Sequence, residues 1–270
     1  MKKSIFIVSL AAFLVALSIC VTSCKKDPDP IPQKVMLPVE FVYDNNHEGE
    51  YGELNGLVIE MTYDDKNRIV SFNRFYSRSG QSYEYPLDYI LGDYVYNSSG
   101  ELTDITWKGV REGDYETIQV QRYTYSDNFV TSTHEFLTSQ PYPLTKYELQ
   151  NDRMVKEYSY RDGDFQEFKT FSHDASGNIT KILNHKDNHS ELISYDNKKG
   201  ILSGINKPNW ALWGFIEPFG SHTVNNPLKR EFSYGKSTVY EYLEYNSYGY
   251  PTKIKVNGLA EVEIKYIEAK

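Results

Sequence analysis

The chain has 270 residues, with 29 Lys and Arg against 37 Asp and Glu, a formal net charge of −8. An acidic chain with no basic cluster beyond Lys25 and Lys26 is a poor binder of nucleic acid. Its two cysteines, Cys20 and Cys24, both lie near the start, so the rest must fold on core packing without disulfides.

In chain order, the first feature is a processing signal. Lys2 and Lys3 open it, and an apolar run from Ile5 to Cys20 follows. That run is shorter than the roughly 20 residues a membrane-spanning helix needs. Val21-Thr22-Ser23-Cys24 then resembles the bacterial lipobox, in which the cysteine thiol is diacylated, the chain is cut before it and the new amine is acylated. Residues 1–23 therefore read as a lipoprotein signal peptide, and residues 24–38 as a lipidated Cys24 with a Pro-rich tether. Cleavage removes Lys2 and Lys3 and takes the net charge from −8 to −10. Two or three acyl chains anchor stably where one is marginal, so a membrane held through lipid on Cys24 is the first expected partner. Lys26-Asp27 loosely resembles the surface-export signal of Bacteroides-type lipoproteins. The expected location is the outer membrane, on the cell surface or on the periplasmic face.

Residues 39–270 read as a single β domain. Tyr240-Glu241-Tyr242-Leu243-Glu244-Tyr245, Thr252-Lys253-Ile254-Lys255-Val256 and Val262-Glu263-Ile264-Lys265-Tyr266 alternate apolar and polar residues. The last two flank Asn257-Gly258, a strong hairpin signal, because that pair readily adopts the positive φ a tight turn needs. Asp162-Gly163 is a second case. A loose repeat also recurs, an aromatic residue followed by Asp or Asn, polar residues with Gly, and a branched apolar residue opening the next strand. It appears at Tyr63-Asp64, Tyr96-Asn97, His173-Asp174, Tyr195-Asp196 and Tyr245-Asn246, with Ile69, Leu102, Ile179 and Ile201 among the residues expected to turn back into a strand.

These Tyr-Asp and Tyr-Asn hairpins resemble the YD (Rhs-like) repeat. With the lipobox and the segment ending Asn225-Asn226-Pro227-Leu228-Lys229, the chain resembles an uncharacterised secreted lipoprotein family of Bacteroidetes with a porin-like β fold. The resemblance implies a shape and a location and carries no assigned activity. The expected fold is all-β: an antiparallel meander of hairpins forming a strongly curved sheet or barrel-like domain. The alternate row of its best strands, Glu241, Lys253, Lys255, Glu263 and Lys265, belongs in water, so a soluble rather than membrane-spanning sheet is expected.

Motifs for chemistry are sparse. No thiol is free for catalysis, and no phosphate loop, nucleophile elbow or zinc-protease helix is present. His185 and His189 are four apart but sit in a hairpin-like stretch, where they would not share a face. No metal and no cofactor is expected. The segment at about 207–228 breaks the alternation and holds Trp210, Trp213, Phe215 and Phe219. It reads either as a plug on the core or as rings for stacking on sugars, and those four are the candidate ligand-binding residues. The expected function is non-catalytic binding of a glycan or other cell-envelope ligand. Alternatives are a structural or assembly partner of an outer-membrane complex and, third, a carbohydrate hydrolase.

Overall fold

The computed structural model describes residues 34–45, 57–76, 89–111, 114–136, 144–206 and 224–270. Val35–Lys270 is one compact unit. Among the described residues its regular structure is all strand. In the first half lie β1 (Met36–Asn45), β2 (Leu57–Tyr63), β3 (Ile69–Tyr76), β4 (Tyr89–Tyr96), β5 (Leu102–Arg111), β6 (Asp114–Ser126), β7 (Phe129–Phe136) and β8 (Leu144–Gln150). The second half holds β9 (Arg153–Arg161), β10 (Asp164–His173), β11 (Ile179–Asn184), β12 (Ser190–Tyr195), β13 (Pro227–Phe232), β14 (Ser237–Tyr245), β15 (Pro251–Val256) and β16 (Ala260–Glu268). Every strand pairs antiparallel with its neighbour in sequence, and β16 pairs back to β1 from Met36↔Glu268 to Asn45↔Ala260. The meander is thus a closed barrel, which leaves no unpaired edge.

Directly paired residues share a face of the sheet, and this sorts the side chains. Phe41 pairs with Ile264 and Ile59, Ile254 with Val262, and Ile105 with Tyr94. All are buried in one cluster, so this row faces inward. The other row pairs Glu40 with Lys265, Glu241 with Lys255, Lys253 with Glu263 and Asp104 with Arg122. Gly92 shows how tight the interior is: a Cβ there would stand 2.6 Å from Cζ3 of Trp107. Only glycine lets that indole lie against β4, where it meets Phe72 and Tyr94 edge-on.

The barrel has two ends. At one, the turn end, even strands pass to odd ones and the start of β1 lies beside the end of β16, with Ala269 N–H donating to Val35 O at 2.9 Å. The turns Asp64–Arg68, Asn97–Glu101, Asp174–Asn178 and Asn246–Tyr250 are built alike. In each, the first residue's N–H donates to the fifth residue's carbonyl at 2.9–3.0 Å. In return the first side chain's Oδ1 accepts the fifth residue's N–H at 2.9–3.1 Å. This is how Asp and Asn fold a short loop without help from the rest of the chain.

The expected copy beginning at Tyr195-Asp196 departs from the others. Ile201 does not open a return strand; with Leu202 and Ile205 it lies in a series of turns and is buried in the core cluster. The return strand is β13, and Tyr195 pairs with Pro227.

Candidate functional site

Height inside the barrel sets the chemistry of the inward row. Nearest the turn end is a layer of tyrosines, each donating its hydroxyl to a carbonyl near the start of the odd-numbered strand before its own. Tyr63 donates to Pro38 O at 2.5 Å, Tyr96 to Ile69 O at 2.9 Å and Tyr125 to Leu102 O at 2.9 Å. Tyr195 reaches Ile179 O at 2.7 Å, Tyr242 reaches Pro227 O at 2.8 Å and Tyr266 reaches Pro251 O at 2.8 Å. Burial pushes these phenols well above their usual range, so they remain neutral donors. Tyr63, Tyr96, Tyr125, Tyr242 and Tyr266 pack against the core cluster.

Above that layer, on β6 to β13, the inward row turns polar. The assignment follows from register: Ile105 faces the core and pairs with Gln121, which pairs with His134. Ser132 pairs with Tyr123 and Thr145, Thr145 with Ser159, and Ser159 with Glu167. Glu157 pairs with Lys169, and Lys169 with Asn184.

These side chains form two adjoining groups. In the first, the Gln119 amide lies 2.6 Å from Nδ1 of His134, while Gln121 Nε2 donates to Ser132 Oγ at 2.9 Å. Nε2 of His134 lies 3.2 Å from both Gln121 Nε2 and Ser132 Oγ. Burial lowers the His134 pKa, so the ring is neutral at neutral pH and offers one donor and one acceptor. In the second group, Lys169 Nζ donates to Glu157 at 2.9 Å and Asn184 Nδ2 donates to Glu167 at 3.1 Å. Further round, Arg230 Nε donates to Glu191 at 2.5 Å. Gln121, Ser132 and Glu157 are buried, whereas Gln119, His134, Thr145, Lys169 and Asn184 are only partly covered. The wall therefore has a fixed polar base beneath groups that a ligand can reach.

The arrangement suits hydrogen bonding better than bond-making. Ser132 and His134 are in contact, but the Ser132 side chain has no exposure, so its oxygen cannot meet a substrate. The inward carboxylates of Glu157, Glu167 and Glu191 are each already held by a cation or an amide. Among the described residues no group of His, Cys, Asp and Glu is placed to hold a metal. His185 and His189 lie in the β11–β12 turn as expected, where His185 stacks on Phe168 at 4.1 Å and His189 meets Asp187.

The lipidation residue Cys24 and the candidate binding residues Trp210, Trp213, Phe215 and Phe219 lie outside the described residues. Sequence reading missed the inward polar wall. Its one legible trace is Gln119-Val120-Gln121-Arg122, where both alternate rows of β6 are polar or mixed. A separate cleft of about 830 Å³ opens at the turn end, lined by Lys66, Gly100, Glu101, Asp127, Asp152 and Asn206 among others.

No protein-family profile matches the chain, and no curated protein matches it. Among solved structures it is similar to a porin-like protein from Bacteroides uniformis ATCC 8492, at 14% identity and a TM-score of 0.42, covering 89% of this chain and 100% of that one. It is also similar to a porin-like protein from Bacteroides vulgatus ATCC 8482, at 12% identity and a TM-score of 0.37, covering 86% and 99%.

Proposed function

We propose that this chain is a non-catalytic lipoprotein of the bacterial cell envelope, anchored through lipid on Cys24, that binds a neutral glycan on the polar half of its barrel interior. The observation that carries the reading is the cluster of Gln119, Gln121, Ser132 and His134. The partly exposed Gln119 amide and uncharged His134 imidazole, set in place by the buried Gln121 and Ser132, offer donors and acceptors without a net charge, which is the complement of a sugar's hydroxyls. Nearby, Glu157 and Glu191 are neutralised by Lys169 and Arg230, and Glu167 is held by the Asn184 amide, so these groups add directionality. The aromatic segment with Trp210, Trp213, Phe215 and Phe219 supplies rings for stacking in the same reading.

The test is a glycan-array screen of the mature protein, followed by titration of any hit against variants. A hit weakened at least tenfold by Gln119→Ala and by His134→Ala, with unfolding free energies within about 1 kcal/mol of the parent, supports the site. Loss of the hit in a Trp210→Ala, Trp213→Ala double variant would assign the stacking role. An empty array, or a hit indifferent to all four changes, removes the proposal.

One observation favours a second reading, an assembly partner. On the outward row Tyr158 and Phe168 stack at 6.0 Å, Tyr160 meets Phe165 edge-on at 5.8 Å, and Phe165 is 53% exposed. Affinity capture from native membranes separates the two, because a stoichiometric protein partner lost on Phe165→Glu is expected only of the second.

A further inference from the structure

The turn at Asp196 is closed by a residue thirty positions away. Asp196 N–H donates to Asn226 O at 3.0 Å, and Asn226 N–H donates to Asp196 Oδ1 at 3.1 Å. Asn226 Nδ2 adds a bond to Asp196 Oδ2 at 3.0 Å. The intact turn between β10 and β11 has the same three bonds: Asp174 N–H to Asn178 O at 3.0 Å, Asn178 N–H to Asp174 Oδ1 at 2.9 Å, and Asn178 Nδ2 to Asp174 Oδ2 at 2.9 Å. Asn226 thus does what the fifth residue does in the uninterrupted turns. The strand register agrees, since Tyr195 pairs with Pro227 as His173 pairs with Ile179.

What leaves this turn runs to the other side of the barrel mouth. Gly200 N–H donates to Val224 O at 2.8 Å beside β12 and β13. Six residues on, Asn206 N–H donates to Asn67 O at 3.0 Å and its Nδ2 to Lys66 O at 3.2 Å, in the turn between β2 and β3. Between these points Ile201, Leu202 and Ile205 join the inward core cluster. Gly204 lies so close to β1 that a Cβ would stand 2.2 Å from Met36 O.

We infer that residues 197–225 are an insertion into an otherwise complete hairpin turn, and that its Gly200–Asn206 arm is a separable plug closing the turn end of the barrel. The wall needs nothing from the insertion, because every strand pair around the barrel is made without it. The arm supplies instead three aliphatic side chains that roof the inward apolar layer. This holds whether or not the far half of the interior binds a glycan.

The test replaces residues 197–225 by Ala-Ser-Gly, the residues that lie between Asp174 and Asn178. The excised chain is expected to keep a β-sheet circular dichroism spectrum and cooperative unfolding. It should also gain binding of a fluorescent hydrophobic dye, because the apolar layer loses its roof. A folded barrel with no gain in dye binding overturns the plug. In the full-length chain, Asp196→Ala should raise the unfolding equilibrium constant about tenfold, as Asp174→Ala should, since each removes the acceptor of the same turn bonds. An Asp196→Ala that changes it less than twofold overturns the inference even if the excised chain folds. Should the excised chain aggregate, a protease site placed between Pro218 and Phe219 decides: the nicked protein is expected to keep both fragments together at an unchanged unfolding midpoint, and separation or collapse on nicking overturns the inference.

Discussion

At His173 the tyrosine layer is interrupted. Tyr63, Tyr96 and Tyr195 each sit where the strand register shifts by one, as His173 does. The three tyrosines use that position to reach a carbonyl on the odd-numbered strand before their own; an imidazole is too short to do the same. The equivalent acceptor for position 173 is the carbonyl of Met154, at the start of β9. His173→Tyr is therefore expected to stabilise the protein by about 1 kcal/mol through one added hydrogen bond. The substitution also removes a titrating group. Burial, and then the charge of Arg153, lowers the His173 pKa below its ordinary 6.5. The folded state thus gives up this proton more readily than the unfolded chain. Its contribution is complete above about pH 6.5 and declines as pH falls toward the folded value. The advantage of His173→Tyr over the parent should accordingly widen between pH 7.5 and pH 5, as read by urea unfolding. An advantage that stays constant, or shrinks on acidification, would refute this account.

Among elements, the hairpin is the unit that repeats, and the hydroxyl bond ties each unit to the next. Tyr96→Phe leaves the carbonyl of Ile69 without its donor, and Tyr195→Phe does the same to Ile179. Each change should cost about 1 kcal/mol. Because β4 and β12 stand on opposite sides of the barrel, the two costs should add. Denaturant melts of the two single variants and the double would reveal a strongly non-additive pair, and with it a layer acting as one network. The hairpins themselves were legible where the turn is written in adjacent residues. Asn257 and Gly258 have φ of 53° and 70°, and Asp162 and Gly163 have 57° and 85°, the conformations those pairs favour. The turn at Asp196 was legible only in its first half. Its closing residue is Asn226, and no local pattern links two residues so far apart. The polar wall escaped for another reason. Alternation tells two rows apart but not which is inside, and a polar row is read as wet by default. Only the register, carried strand by strand from Ile105 to Gln121 to His134, turns those groups inward.

For the molecule as a whole, a closed meander of this size invites comparison with barrels that stand in lipid, and the outward row decides against it. Lys108, Arg122, Lys156, Lys253 and Lys265 all share the outward face, with Asp93, Glu135, Glu148, Glu261 and Glu40 as their partners. On a lipid-facing wall an Arg or Lys costs about 2–4 kcal/mol near the midplane. Several of them would consume a folding free energy that for most proteins is only about 5–15 kcal/mol. Ion pairing at such exposed sites returns under about 1 kcal/mol each, too little to offset the transfer. In water the same residues cost nothing. The barrel is therefore expected to stay out of the bilayer and to meet a membrane only through the lipid proposed on Cys24. In a liposome flotation assay the lipidated protein is expected to rise with the vesicles. Cys24→Ser is expected to stay in the soluble fraction, monodisperse without detergent and fully open to protease. A Cys24→Ser protein that floats and gains protease protection would place the strands in lipid and reverse the assignment of the outward row.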